Sequence, residues 1–398
     1  MLLNRRQLFL FVTFFILYEI NTYISNDMIM PAMVQVVNAF HASVTEISKS
    51  VSWFVVGGSI IAIFLVPACD IFSKKWVLLF GNIFFLISNV LSLFSSNIDQ
   101  FLITRFMQGA GMSFIFIGYT VLHESTDDKT FVKLGSILGN ITILAPLLGP
   151  IVGSLVIINH SWHYIFIINI VLAAFSLLGL SLYMPYDKPS LKSKLHIKQH
   201  CLNCYKILTS SNFLLGCSNT ILYCTIMVGW IALAPVLIMH TLNKSFDDFV
   251  IYQAFVFSGA ILSGFVIRSC AGKISFTNII KISAITEVVG CVFAFIFCDI
   301  IALFLVSMFI AVFACFFVYG VLIRSIITDN GFPINTNSAV QSTFNGMSFA
   351  VSLEVANKFC SHFNYTFKSF SVFNLLISIL LLAFSFLYAN KLSGREWK

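Results

Sequence analysis

Apolar runs of about twenty residues, each closed by a short polar break, follow one another along the chain. A helix needs about 20 apolar residues to cross the hydrocarbon core of a bilayer. On that template twelve segments qualify, over residues 8–30, 44–67, 76–95, 100–122, 132–157, 162–184, 211–239, 247–268, 276–298, 300–323, 337–360 and 368–390. The runs are continuous rather than alternating, and open sheets cannot span lipid, so the segments predict helices. The pattern is that of an all-α membrane protein with twelve transmembrane helices. The longest polar stretch follows the sixth run. It divides the chain into a six-helix half at 1–184, a linker at 185–210 and a second six-helix half at 211–398. Transporters built from repeated halves hold their site near the midplane between them. No sequence identity between the halves is obvious, so the repeat rests on hydropathy.

Composition agrees with this reading and adds an orientation. The chain is 59% hydrophobic and 10% charged, against about 25% charge for soluble domains. A net charge of +7 suggests nucleic acid only where basic residues cluster on one folded face. Here they lie in short loops, and no nucleic-acid partner is expected. With the N-terminus in the cytoplasm, eighteen of the 23 Lys and Arg residues fall on the cytoplasmic side. Lys49, Lys244, Lys358 and Lys368 fall outside, and Arg105 lies within the fourth run. Both termini and the linker around Lys194 are therefore expected in the cytoplasm. The opening residues, with Arg5 and Arg6 before Leu8–Leu17, imitate a secretory signal. No small-residue cleavage site follows, which predicts an uncleaved first helix. The ten cysteines lie mostly in apolar runs and do not form an extracellular disulfide framework.

Ionisable groups inside the apolar runs carry the chemistry. A charge at the bilayer centre costs at least ~2.5–3.5 kcal/mol, so each one asks for a reason. Glu19, Tyr23, Asn26 and Asp27 stand at i, i+4, i+7 and i+8 of the first helix, on one face. Such a stripe faces a cavity or a partner helix; two carboxylates bonded only for helix packing are the alternative. The natural partner is Arg105, which keeps its charge where a lysine can lose it. Asp27 is expected at the depth of Arg105, with Glu19 about 12 Å nearer the cytoplasm. Desolvation favours a neutral acid and a nearby cation favours the ion. A carboxylate held between the two can change protonation as a cavity opens, which is what proton coupling requires. In the fifth helix, Ala145-Pro146-Leu147-Leu148-Gly149-Pro150-Ile151-Val152-Gly153 combines close-approach glycines with prolines that interrupt the backbone ladder.

With these residues in hand, the chain resembles the major facilitator superfamily, and within it the MdfA-type multidrug/proton antiporters. Tyr18-Glu19, Thr22-Tyr23-Ile24, Asn26-Asp27-Met28-Ile29 and Pro31 are similar to that group's first helix. Arg105-Phe106-Met107-Gln108-Gly109 resembles the fourth-helix motif, Ala145–Gly153 the fifth-helix motif of antiporters, and Gly229-Trp230-Ile231 with Pro235 the seventh helix. The resemblance implies a major facilitator fold and proton-driven efflux of small lipophilic drugs, neutral or cationic, across the inner membrane. Asp27, Glu19 and Arg105 would couple the proton. Tyr23, Asn26, Asp27, Val51, Val55, Thr142, Met227, Val228 and Ile231 would surround the drug, ordinary helix packing being the alternative role for the eight besides Asp27. Asp70, Lys74, Lys75, Pro146, Gly149, Pro150 and Gly153 would serve the gate and the conformational change. The partners implied are drugs, protons and membrane lipids around a monomer, with the proton as coupling ion and no cofactor or metal.

The loop between helices two and three departs from the pattern. The family reads roughly Gly-Pro-x-x-Asp-Arg-x-Gly-Arg-Arg; here Val66–Lys75 keeps Asp70, Lys74 and Lys75 but loses both glycines and the first arginine. His196, His200, Cys201 and Cys204 have zinc-like spacing, yet a linker without a globular domain around it makes accidental matches easy. Glu287 in the ninth run is read as a boundary effect or an interhelix hydrogen bond rather than a second proton site. Glu354 is expected to reach water. Nutrient uptake is the alternative within transport, against which the fifth-helix motif argues. An intramembrane enzyme is the alternative from another class, but the eight histidines are scattered over loops and helix ends.

Overall fold

The computed structural model describes residues 4–126, 128–187, 196–270, 273–328 and 334–392. It folds as two units, Met1–Asn203 and Cys204–Lys398. In the first unit the helices are α1 (Arg5–Met28), the short α2 (Met33–Ala39), α3 (Glu46–Ile71), α4 (Lys74–Leu93), α5 (Ile98–Met112), α6 (Ile115–Ser125), α7 (Asp128–Asn159) and α8 (His163–Tyr183). Helix α9 (His196–Leu208) crosses the unit boundary. The second unit continues with α10 (Ser211–Pro235), a π-helical turn (Val236–Thr241), α11 (Phe246–Cys270), α12 (Phe276–Ile296), α13 (Ile301–Thr328), α14 (Ile334–His362) and α15 (Phe367–Lys391). Among the described residues, ten helical stretches are long and apolar enough to cross a membrane. Helices α7 and α14, of 32 and 29 residues, occupy the other two of the twelve predicted spans. Each unit thus carries six spans.

Helix α4 shows how lipid inverts the usual pattern. Phe80, Ile83, Ile87, Leu91 and Phe94, three or four apart, are exposed, while Asn82, Ser88, Asn89 and Ser92 are buried. Lipid takes the apolar stripe, while inside the bundle Ser88 and Asn89 bond back to the Phe85 carbonyl and Asn82 and Ser92 bond to neighbouring helices. The Ser92 hydroxyl donates to Thr104 Oγ1 (2.8 Å), tying α4 to α5. Where α3 crosses α5, Gly57 lies against the Phe106 carbonyl and Gly109 against that of Phe54, so a Cβ at either would strike backbone. That crossing sets the α3 side chains beside those of α5.

Two boundaries differ from those read in the sequence. The second span is expected to end at 67, yet α3 continues past Pro67 to Ile71 and leaves only Phe72 and Ser73 before α4. Membrane helices tolerate proline where neighbours take up the freed backbone groups. The fourth span breaks at Ser113–Phe114, between α5 and α6. Tertiary bonds meet the break: the Tyr18 hydroxyl donates to the Gly111 carbonyl (2.6 Å), and Ser113 Oγ donates to the Gly58 carbonyl.

Candidate functional site

The stripe on α1 is where sequence and structure meet most closely. Glu19 and Asp27 are buried, and Tyr23 and Asn26 half-buried. Arg105 on α5 is also fully buried. Its three kinds of nitrogen are all used: Nε donates to Ser50 Oγ (3.0 Å), Nη1 to Gln108 Oε1 (2.5 Å) and Nη2 to Asn26 Oδ1 (2.6 Å). The guanidinium carbon sits 4.8 Å from the centre of the Phe54 ring, a cation–π contact. Gln108 passes the network on, its Nε2 donating to Ser92 Oγ (2.9 Å).

Arg105 is expected to pair with Asp27, but the link is indirect. Among the described residues no ion pair joins Arg105 to either acid. Asn26 stands between them, accepting from Arg105 and donating through Nδ2 to Asp27 Oδ1 (3.2 Å). The cation therefore polarises the amide that bonds the carboxylate, while the Asp27 oxygens stay out of the fork. A neutral linker leaves the acid sensitive to small movements of α5 against α1.

Glu19 has a different partner, one the sequence does not single out. Its Oε1 accepts from the hydroxyl of Tyr119 on α6 (2.5 Å), while Oε2 has no hydrogen-bond partner. A tyrosine in an apolar run carries no signal of its own. What brings it here is the break between α5 and α6.

The fifth-helix glycines lie against the same turn of α1. At Gly149 an added Cβ would sit 2.5 Å from Asp27 Cβ and 3.1 Å from its carbonyl carbon. At Gly153 it would collide with the Met28 carbonyl oxygen. The motif is thus the surface that lets α7 touch the backbone at Asp27. Gly153→Ala is expected to force α7 away from α1, at a cost of ~1–3 kcal/mol for overpacking. The check is a lower thermal midpoint of the purified variant in detergent. An unchanged midpoint would show that the contact gives way freely.

Of the two basic residues expected at the gate, Lys74 has acidic partners and Lys75 a backbone carbonyl. Lys74 bonds both carboxylate oxygens of Glu124 (2.9 and 2.8 Å) and lies 3.7 Å from Asp187. Ser73 Oγ donates to Asp187 Oδ1 (2.7 Å), and Lys75 donates to the Met184 carbonyl (2.9 Å). Burial alone would push the Asp187 carboxyl up; the Ser73 hydroxyl and the Lys74 charge outweigh it and hold it below the usual carboxylate range. The latch ties the start of α4 to the end of α6 and the segment after α8. The side chains of Asp70, Thr142 and Pro146 lie outside the described residues.

Of the other residues singled out, Val51 is buried and Val55 half-buried on α3, and Pro150 is buried on α7. Met227, Val228 and Ile231 share one face of α10 in the second unit. His196 of the zinc-like set has a side chain outside the described residues; His200, Cys201 and Cys204 lie on α9. Glu287 corrects its expectation. It lies mid-helix in α12, fully buried, and neither carboxyl oxygen has a hydrogen-bond partner. No boundary is mis-set, and among the described residues no interhelix bond to Glu287 is made.

The comparisons bear directly on this arrangement. Residues 15–356 match the sequence model of the Major Facilitator Superfamily. The chain belongs to that superfamily. This major facilitator chain is 32% identical to "Multidrug transporter MdfA" of Yersinia pestis (strain Angola) over 294 residues, 73% of this chain and 71% of the relative. It is 34% identical to "Chloramphenicol resistance protein CraA" of Acinetobacter baumannii over 267 residues, 67% of this chain and 64% of the relative. Among solved structures, a bacterial homologue of the human lysosomal transporter Spinster superposes with a TM-score of 0.73 at 12% identity, covering both chains fully. A D-xylose–proton symporter gives 0.70 at 15% identity, covering 94% of this chain and 97% of the other. At such identities the structures speak for the fold alone. The major facilitator fold, the membership suggested by the first-helix run and the multi-pass character are borne out, and the chain is a transporter.

Proposed function

We infer that this transporter expels lipophilic drugs, neutral or cationic, in exchange for protons by alternating access. The observation that carries the reading is the pair of buried acids on α1, Asp27 linked to Arg105 through Asn26 and Glu19 held by Tyr119. It stands in a chain about a third identical to proteins named for multidrug transport and chloramphenicol resistance. Asp27 carries the exchangeable proton. Glu19 widens the range toward cations, since a lipophilic cation favours its ionised form and a neutral drug gains little from it. Tyr23, Asn26, Val51, Val55, Thr142, Met227, Val228 and Ile231 contact the drug; apolar, adaptable side chains such as Met227 suit varied shapes. Gly149, Pro150, Gly153 and Pro146 let α7 move against α1, and Asp70, Lys74 and Lys75 govern the cytoplasmic gate.

The protein works as a monomer among lipids of the inner membrane, with both termini in the cytoplasm and the proton as its only coupling partner. A potential of about 150 mV supplies ~3.5 kcal/mol per proton, enough for several-hundred-fold export of a neutral drug. The test uses cells stripped of their own pumps. Expression should lower accumulation of both a neutral and a cationic drug, and an uncoupler should restore it. Accumulation that stays low with the uncoupler present would rule out proton drive.

A further inference from the structure

Glu287 is the buried acid for which the two α1 carboxylates offer no role. It is the twelfth residue of α12, about 16 Å along a helix that crosses a core about 30 Å thick. It therefore sits near mid-bilayer depth. Its relative exposure is 0%, and Oε1 and Oε2 both lack a hydrogen-bond partner. Helix α12 packs against α13 and α15. The titratable groups acting on the carboxyl are Tyr223 of α10, Cys315 of α13 and Cys291 one turn along its own helix. From α15 the same face meets polar but uncharged side chains: Ser371 Oγ donates to the Ala294 carbonyl (2.9 Å), and Ser378 is the side chain acting on Cys291. None of these groups is a cation.

The surroundings favour an exchangeable ligand over a packing role. A packing carboxyl would be bonded, because a buried polar group left unmade is destabilising. Ser283, one turn before Glu287 and also fully buried, has a hydroxyl without a partner. One turn further, the Tyr223 hydroxyl donates to the Ile280 carbonyl (3.1 Å), so a polar column runs along the inner face of α12 to α10. Helix α10 also carries Met227, Val228 and Ile231. Among the described residues an ionised carboxylate in this column has neither a hydrogen bond nor a cation to compensate it. A proton is the one ligand small enough to do so without displacing a helix.

We propose that Glu287 binds and releases a second proton in each transport cycle, in the second unit rather than in the one that holds the α1 acids. The assignment rests on the antiport reading above and goes beyond it, raising the exchange from one proton per drug to two. The proton enters as H+ on the carboxylate and leaves as H+, with no other bond made or broken.

Proteoliposomes holding the wild type, Glu287→Gln or Glu287→Asp are given a pH difference at zero membrane potential, with tetraphenylphosphonium as the transported cation. The steady accumulation ratio counts the protons exchanged. A tenfold proton gradient should support about hundredfold accumulation in the wild type and Glu287→Asp, and about tenfold in Glu287→Gln. A glutamine variant that does not transport beside an aspartate variant that matches the wild type also supports the assignment. Equal ratios in the wild type and Glu287→Gln overturn it. So does loss of transport in both folded variants, which would mean the site answers to shape. If the wild type shows no pH-driven accumulation, the antiport reading fails instead, and infrared spectra then decide Glu287. They decide equally if the glutamine variant does not fold. A carboxylic-acid band that titrates in the wild type and moves in Glu287→Asp supports proton binding; the absence of such a band overturns it.

Discussion

Asp27→Asn is expected to abolish proton-driven efflux of every substrate while leaving neutral drugs able to bind. The change keeps size and much of the hydrogen bonding: an amide oxygen can still accept from Asn26, as Asp27 Oδ1 does at 3.2 Å. What disappears is the exchangeable proton. The turn itself should hold, because the close approach at Gly149 is to the Cβ and carbonyl carbon of residue 27, which the substitution leaves in place. Binding of a neutral fluorescent drug to the purified variant, beside efflux from cells, separates the two effects. Efflux at background with binding within a few-fold of wild type is the expected pair. Loss of both would make Asp27 a structural residue.

Arg105→Lys is expected to slow transport by at least about tenfold although the charge is kept. The guanidinium is fully buried and donates to three side chains on three helices, Ser50 of α3, Gln108 of α5 and Asn26 of α1, while covering Phe54. A lysine is a compact, strongly hydrated charge without the planar fork. It cannot reach all three acceptors at the guanidinium's spacing, and a hydrogen bond to a charged group is worth ~1.5–3 kcal/mol. One such bond lost from the coupling step corresponds to tenfold or more in rate. The bond to Asn26 matters most, because through it the charge acts on Asp27. Efflux rates at matched expression check the prediction; wild-type rates in a well-folded Arg105→Lys protein would show that charge alone suffices.

The sequence made the spans readable because lipid imposes one simple rule. Apolar runs of crossing length become helices, and all twelve fell on helices here. The acids on α1 and Arg105 were readable for the same reason, since charge in an apolar run stands out. Their partners were not. Tyr119 looks like ordinary apolar packing until the break at Ser113–Phe114 sets α6 against α1. That break has no proline to announce it, and its bonds run to Tyr18 and Gly58, distant in the chain. Glu124 and Asp187 sit in polar segments where acids are unremarked, so the latch on Lys74 emerges only from contact. Asn26 was visible as part of the stripe, but not as the bridge between Arg105 and Asp27. Glu287 shows the limit from the other side: the sequence reveals a buried acid, but only packing reveals that nothing bonds it.

The division of labour between the two α1 acids is the centre of the account. Asp27 senses the Arg105 cation through Asn26, whereas Glu19 is held by a neutral tyrosine and keeps one oxygen unbonded. The direct measurement is proton-gradient-driven transport of one neutral and one cationic drug in proteoliposomes containing Asp27→Asn or Glu19→Gln. Asp27→Asn should transport neither drug, and Glu19→Gln should lose far more cation transport than neutral-drug transport. If Asp27→Asn pumps both drugs while Glu19→Gln pumps neither, the roles are reversed and the assignment of the coupling proton to Asp27 is wrong.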